Sequence, residues 1–124
     1  MRLLLDTNVL LWWLADSPRL KTEARQLIRS SPAVFVSAAT TWEIAIKRAL
    51  GKLQAPANLE DALEENDFAP LPITVAHSIA AAELPRYHDD PFDRMLVAQA
   101  RLEVLTLITS DQRLADYGAG VKLL

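Results

Sequence analysis

Residues 3–14 read LLLDTNVLLWWL, which sets one carboxylate, Asp6, inside an otherwise almost wholly apolar dozen. Successive apolar residues without alternation suit a strand covered on both faces, so residues 2–5 read as a buried strand of a parallel sheet. Residues 9–15 then read as the start of a helix that Pro18 ends. An ionised carboxylate in apolar surroundings costs several kcal/mol unless it is neutralised or reaches water. The start of the chain therefore calls for an α/β layout and for a physical reason behind Asp6.

The remainder keeps the same alternation of apolar runs and amphipathic stretches. Residues 20–30 place Leu20, Ala24, Leu27 and Ile28 at helical spacing with charges between them. Residues 33–36 form a second strand, and residues 37–50 a long helix closed by Gly51, a residue suited to the left-handed conformation at a helix end. A short acidic helix over residues 59–66 precedes an extended piece, residues 68–73, whose two prolines suit a sheet edge. Residues 74–84 form a small-residue helix before the polar loop PRYHDD. Pro91 opens a helix reaching Glu103, with Asp90 as its cap. Residues 104–109 give a strand, residues 112–117 a possible short helix, and residues 121–124 a last strand.

At 124 residues the chain reads as one domain, residues 1–124, large enough for a core without staples. With 51% hydrophobic and 23% charged residues it is of ordinary globular composition. The absence of cysteine excludes disulfides and thiolate zinc sites, and two histidines are too few for most catalytic zinc centres. The uncharged run of residues 9–15 is too short to cross a bilayer, which points to a cytoplasmic protein without membrane association. A net charge of −3 argues against binding nucleic acid by bulk electrostatics. A nuclease with an acidic centre offset by a metal escapes that objection.

On this map Asp6 ends the first strand, Glu43 lies near the start of the helix after the second, and Asp111 follows the strand LTLIT. Asp93 sits in the first turn of the preceding helix. Ligands of open parallel sheets bind outside the carboxyl ends of the strands, where Asp6, Glu43 and Asp111 fall. Each acid also has a purely structural reading: a capping box at Thr40–Glu43, a Glu43–Lys47 helical pair, and caps at Asp6, Asp90 and Asp111. If the four acids converge, two charges ~4 Å apart at a dielectric near 20 repel by roughly 4 kcal/mol, so the cleft must protonate or take in a cation. Oxygen ligands suit Mg²⁺ or Mn²⁺, whose chemistry is that of phosphodiester hydrolysis.

Three blocks in order, LLLDTNVLL, VSAATTWEIAIKRALGKL and DDPFDRMLVAQARLEVLTLITSDQRL, resemble the PIN-domain ribonucleases, specifically the VapC-type toxins of bacterial toxin–antitoxin pairs. The resemblance spans nearly the whole chain. It implies an α/β fold, a parallel sheet of about five strands with helices on both faces. It also implies an Mg²⁺- or Mn²⁺-dependent endoribonuclease, usually a homodimer, inhibited by a cognate VapB-type antitoxin. Asp6, Glu43 and Asp93 take the acidic metal centre, Asp111 the fourth position, and Asp116 is its rival. Thr7, Asn8 and Ser110 are candidates to hydrogen-bond the ligand carboxylates. Lys47, Arg48, Lys52, Arg86 and Arg94 are candidates for the RNA backbone, each with an ordinary solvated charge as the alternative. His88, in the loop before Asp90, could approach substrate, a reading set below an ordinary loop role, and His77 reads as packing or surface. Trp12 and Trp13 suit the core, with a groove for a partner helix as the alternative use. Two other classes are weighed: a phosphotransfer domain using such a cleft for Mg²⁺, and a non-catalytic binding protein whose acids are caps. The first lacks a second acid at the end of the first strand and a lysine after a late one.

Overall fold

The computed structural model describes residues 1–118 and 120–124. Its elements are β1 (Arg2–Leu5), α1 (Thr7–Leu14), α2 (Thr22–Ser30), β2 (Ala33–Ser37), α3 (Ala38–Ala49), α4 (Leu59–Glu65), β3 (Ala69–Leu71), α5 (Val75–Glu83), α6 (Pro91–Glu103), β4 (Thr106–Thr109), α7 (Gln112–Ala115) and β5 (Val121–Leu123). The five strands form one sheet in the order β3-β2-β1-β4-β5, and every pairing is parallel. The expected α/β architecture with about five strands is what the chain adopts.

The unbroken leucines of β1 explain its central place. Leu3 and Leu5 enter the apolar layer shared with Val9, Leu10, Ala24, Ile28 and Leu63 from α1, α2 and α4. Leu4 points to the opposite layer, built with Leu96, Val97 and Ala100 of α6, Ala81 of α5 and Leu114 of α7. All three leucines are fully buried, so each contributes on the order of 2 kcal/mol of burial. Trp12 and Trp13 are half-buried and pack on the first layer, in keeping with the core reading. The prolines place β3 at the sheet edge as their missing donors require.

Chain order sets where a site can form. After β1 the chain moves outward through β2 to β3, then returns to the far side of β1 to lay down β4 and β5. The crevice at the carboxyl ends of β1 and β4 is thus the point where strand order reverses. Strand β4 starts later than the sequence suggests. Val104 takes a left-handed conformation (φ 55°) to end α6, its N–H bonded to Ala100 O, and is 80% exposed.

Candidate metal centre

Asp6 follows the last residue of β1 and is 4% exposed. Its Oδ1 accepts from the Val9 N–H at 2.9 Å, capping α1, while Oδ2 accepts the hydroxyl hydrogen of Thr109. Capping and a place in the site are therefore compatible. The Thr109 oxygen in turn accepts from Asp111 N–H at 3.0 Å, so one hydroxyl at the end of β4 ties the ends of both central strands.

Glu43 is 6% exposed on α3. The capping-box reading at Thr40–Glu43 fails, because α3 begins earlier, with Ser37 as its cap accepting from Ala39 N–H. Glu43 lies too far along the helix to reach back. Its Oε1 accepts from Thr7 Oγ1 at 2.7 Å, and its Oε2 meets Lys47 Nζ at 2.7 Å, the helical pair expected from spacing.

Asp90 caps α6 by accepting from the N–H groups of Phe92 and Asp93. That leaves the Asp93 carboxylate free of capping duty, and its Oδ2 lies 2.8 Å from Nε2 of His88. The same nitrogen is 3.5 Å from Oδ2 of Asp111. One ligand atom from each of His88, Asp93 and Asp111 falls within 4.8 Å of the others. Asp111 also caps α7 and is paired with Arg113 at 3.0 Å.

The electrostatics link these groups. Burial pushes the Asp6 carboxyl up, with the charges of Asp111 and Glu43 adding to it. Asp93 is pushed up to about 6, chiefly by burial and then by Asp90 and Asp6. Arg113 holds Asp111 below the ordinary carboxylate range. Lys47 is raised through its bond to Glu43, with Asp90 and Asp93 contributing. Asp6 thus feels the charges of Glu43 and Asp111 and acts in turn on Asp93, while the close group of ligand atoms is that of His88, Asp93 and Asp111. Asp6 and Asp93, disfavoured as bare charges, and Asp111, which shares an imidazole with Asp93, offer a donor set that fits a divalent ion.

Thr7 has the contact expected of it. Asn8 is exposed and Ser110 half-buried, and among the described residues no side-chain hydrogen bond joins either to the acids. Arg94 departs from the expectation of a backbone-binding cation. Its guanidinium is turned onto carbonyls of Ala81, Leu84, Pro85 and His88 and holds the loop between α5 and α6. Arg48 bonds the carbonyls of Pro56 and Ala57, while Arg86 and Lys52 are exposed. Asp116, the rival fourth acid, is exposed at the end of α7 and outside the cluster. His77 is buried, closing the capping box of α5.

Sequence reasoning missed Thr109 altogether and left His88 outside the acidic set. The available signals were a hydroxyl closing the apolar run LTLIT and a histidine just ahead of a Pro-initiated helix.

The model of the PIN domain family matches residues 3–120. The chain belongs to the PIN-domain family. This PIN domain is 29% identical over 117 residues to Ribonuclease VapC22 of Mycobacterium tuberculosis (strain ATCC 25618 / H37Rv), covering 92% of this chain and 90% of that protein. Its fold matches a chain of the toxin–antitoxin complex from Klebsiella pneumoniae with a TM-score of 0.69 at 23% identity, covering 96% of this chain and 94% of that one. It likewise matches a chain of VapBC2 from Rickettsia felis, solved bound to a DNA fragment from the promoter of that pair, with a TM-score of 0.70 at 14% identity and coverage of 100% and 98%. At such identities the structural likenesses establish the fold. A mostly apolar cleft of about 820 Å³ opens between α3, α4 and β3, apart from the acids. Among the described residues no helix is long and apolar enough to cross a membrane.

Proposed function

We propose that this PIN domain is an Mg²⁺- or Mn²⁺-dependent endoribonuclease, the toxin of a VapBC-type pair, acting in the cytoplasm as a homodimer restrained by a VapB-type antitoxin. The observation that carries the reading is the group of His88, Asp93 and Asp111 ligand atoms near the strand-reversal crevice, with Asp6 tied to it through Thr109 and by its charge. The curated relative named a ribonuclease, and the fold neighbours from toxin–antitoxin complexes, support the substrate class and the partner.

Asp6, Glu43, Asp93 and Asp111 are the residues assigned to hold the ion. A divalent ion there supplies Lewis acidity toward a phosphoryl oxygen and acidifies water for attack on phosphorus. The protein's own part is positional. Thr7 and Thr109 fix the Glu43 and Asp6 carboxylates, and their hydroxyls leave the second oxygen of each acid to Lys47 and the Val9 N–H. Lys47 brings a positive charge toward Asp90 and Asp93 and is a candidate to meet an RNA phosphate. Exposed Arg48 and Arg86 are further candidates for the RNA backbone.

The deciding experiment incubates purified protein with RNA and Mg²⁺ or Mn²⁺ beside Asp6→Asn and Asp93→Asn. Cleavage is expected from the parent, with loss of at least about a hundredfold in either variant while circular dichroism stays unchanged. Activity that survives chelation, or equal rates in the variants, would refute the assignment.

A further inference from the structure

We propose that His88 is itself a ligand of the divalent ion, setting an imidazole nitrogen beside Asp93 and Asp111 and inclining the centre toward Mn²⁺ over Mg²⁺. This rests on the preceding reading that the acids hold an ion.

The spacing is that of neighbouring ligands in one coordination sphere. Two donors at right angles around an ion, each roughly 2.1 Å from it, stand about 3 Å apart. His88 Nε2 lies 2.8 Å from Asp93 Oδ2 and 3.5 Å from Asp111 Oδ2. The ring is also aimed there by its surroundings. His88 is 7% exposed, and its backbone is held on both sides: its N–H donates to the Tyr117 hydroxyl at 3.2 Å, and its carbonyl accepts from Arg94 at 3.3 Å. Tyr117 donates to the Pro85 carbonyl at 2.7 Å and Arg94 to Leu84 O at 2.9 Å, so both clamps are anchored elsewhere in the same loop.

A neutral imidazole also solves a charge problem. It adds a donor to a centre already carrying four acids without adding negative charge, which a fifth carboxylate would do. In the simpler role the neutral ring is a brace that donates Nε2–H to Asp93 while Nδ1 accepts from the Asp90 N–H. That contact is long, 3.4 Å, and is readily given up when the ring proton sits on Nδ1 and Nε2 faces an ion. A nitrogen donor favours Mn²⁺, whereas Mg²⁺ prefers an all-oxygen shell.

The test loads the full chain with Mn²⁺ and records pulsed electron paramagnetic resonance, then titrates parent and His88→Gln calorimetrically with Mn²⁺ and with Mg²⁺. Modulation from a directly bound ¹⁴N is expected in the parent and absent in His88→Gln. The variant should bind Mn²⁺ about tenfold or more weakly, with a much smaller change for Mg²⁺. The spectrum of the parent needs no variant to fold, and His77 is no substitute, since Thr74 N–H and Glu103 engage its two ring nitrogens. Bound Mn²⁺ without nitrogen coupling, or undiminished Mn²⁺ binding by a folded His88→Gln, overturns the proposal. If metal-dependent RNA cleavage persists in that case, the nuclease reading stands alone. A parent that binds neither ion removes both.

Discussion

Thr109 serves two acids with one hydroxyl, giving its hydrogen to Asp6 and accepting from the Asp111 backbone. It is fully buried, so removing that oxygen leaves a buried carboxylate oxygen and an N–H without their partner. Thr109→Val keeps the shape and is expected to lower unfolding stability by about 1–3 kcal/mol in urea titrations, with Thr109→Ser restoring most of it. Equal stability of the valine variant would show that water replaces the hydroxyl. At this scale the sequence was only partly readable. Asp6 stood out because an acid in an apolar run needs a reason, while a threonine in the same kind of run looks like an ordinary strand residue. Arg94 misled for the converse reason. A cation beside DPFD looks free for phosphate, and only the path of the loop reveals the carbonyls that occupy it.

Among the elements, α6 carries its start and its stop in different currencies. The start is chemical: Asp90 caps and Pro91 opens, both legible from residue type. The stop is conformational, made by Val104 in a left-handed backbone that β-branched side chains rarely adopt. Its exposed side chain has little packing to lose, so Val104→Gly relieves about 1–2 kcal/mol of strain against roughly 0.5–1 kcal/mol of added chain entropy. A net gain of up to about 1 kcal/mol is expected, read as a raised melting temperature; a fall would mean that Val104 packs on something the fold needs. Valine belongs to strand vocabulary, which is why the strand seems to start at residue 104 when the pairing begins at Thr106. The same gap between residue type and context explains Glu43. Its capping-box spacing is genuine, yet Ser37 at the end of β2 starts the helix first. The strands themselves were legible because parallel strands, buried on both faces, announce themselves as apolar runs.

For the whole molecule, the buried acids couple stability to pH. Asp93 rises from 3.8 to about 6 on folding, so between those values the folded state holds more protons than the unfolded one. Stability of the metal-free protein should therefore fall as pH rises through that window and level off above it, with Asp6, also raised, acting in the same sense. Divalent ions compete with those protons and should reverse the trend, adding most stability above about pH 6. Thermal melts from pH 4 to 8 with chelator or Mn²⁺ check this, and Asp93→Asn should flatten the metal-free slope. A flat parent profile would show that the acid is hydrated after all.

The order of the strands has a further bearing on how such a chain is made. β1 is followed in the chain by β2 and β3 before β4 is reached, yet it lies against β4, and Asp6 meets Thr109, its partner 103 positions further on, only when β4 arrives. Until the polypeptide has grown past α6 and β4, it has Asp6 and Glu43 but no Asp111 beside them. A cluster assembled this way closes only once β4 has joined the sheet, and a chain cut short before it leaves Asp6 without Thr109.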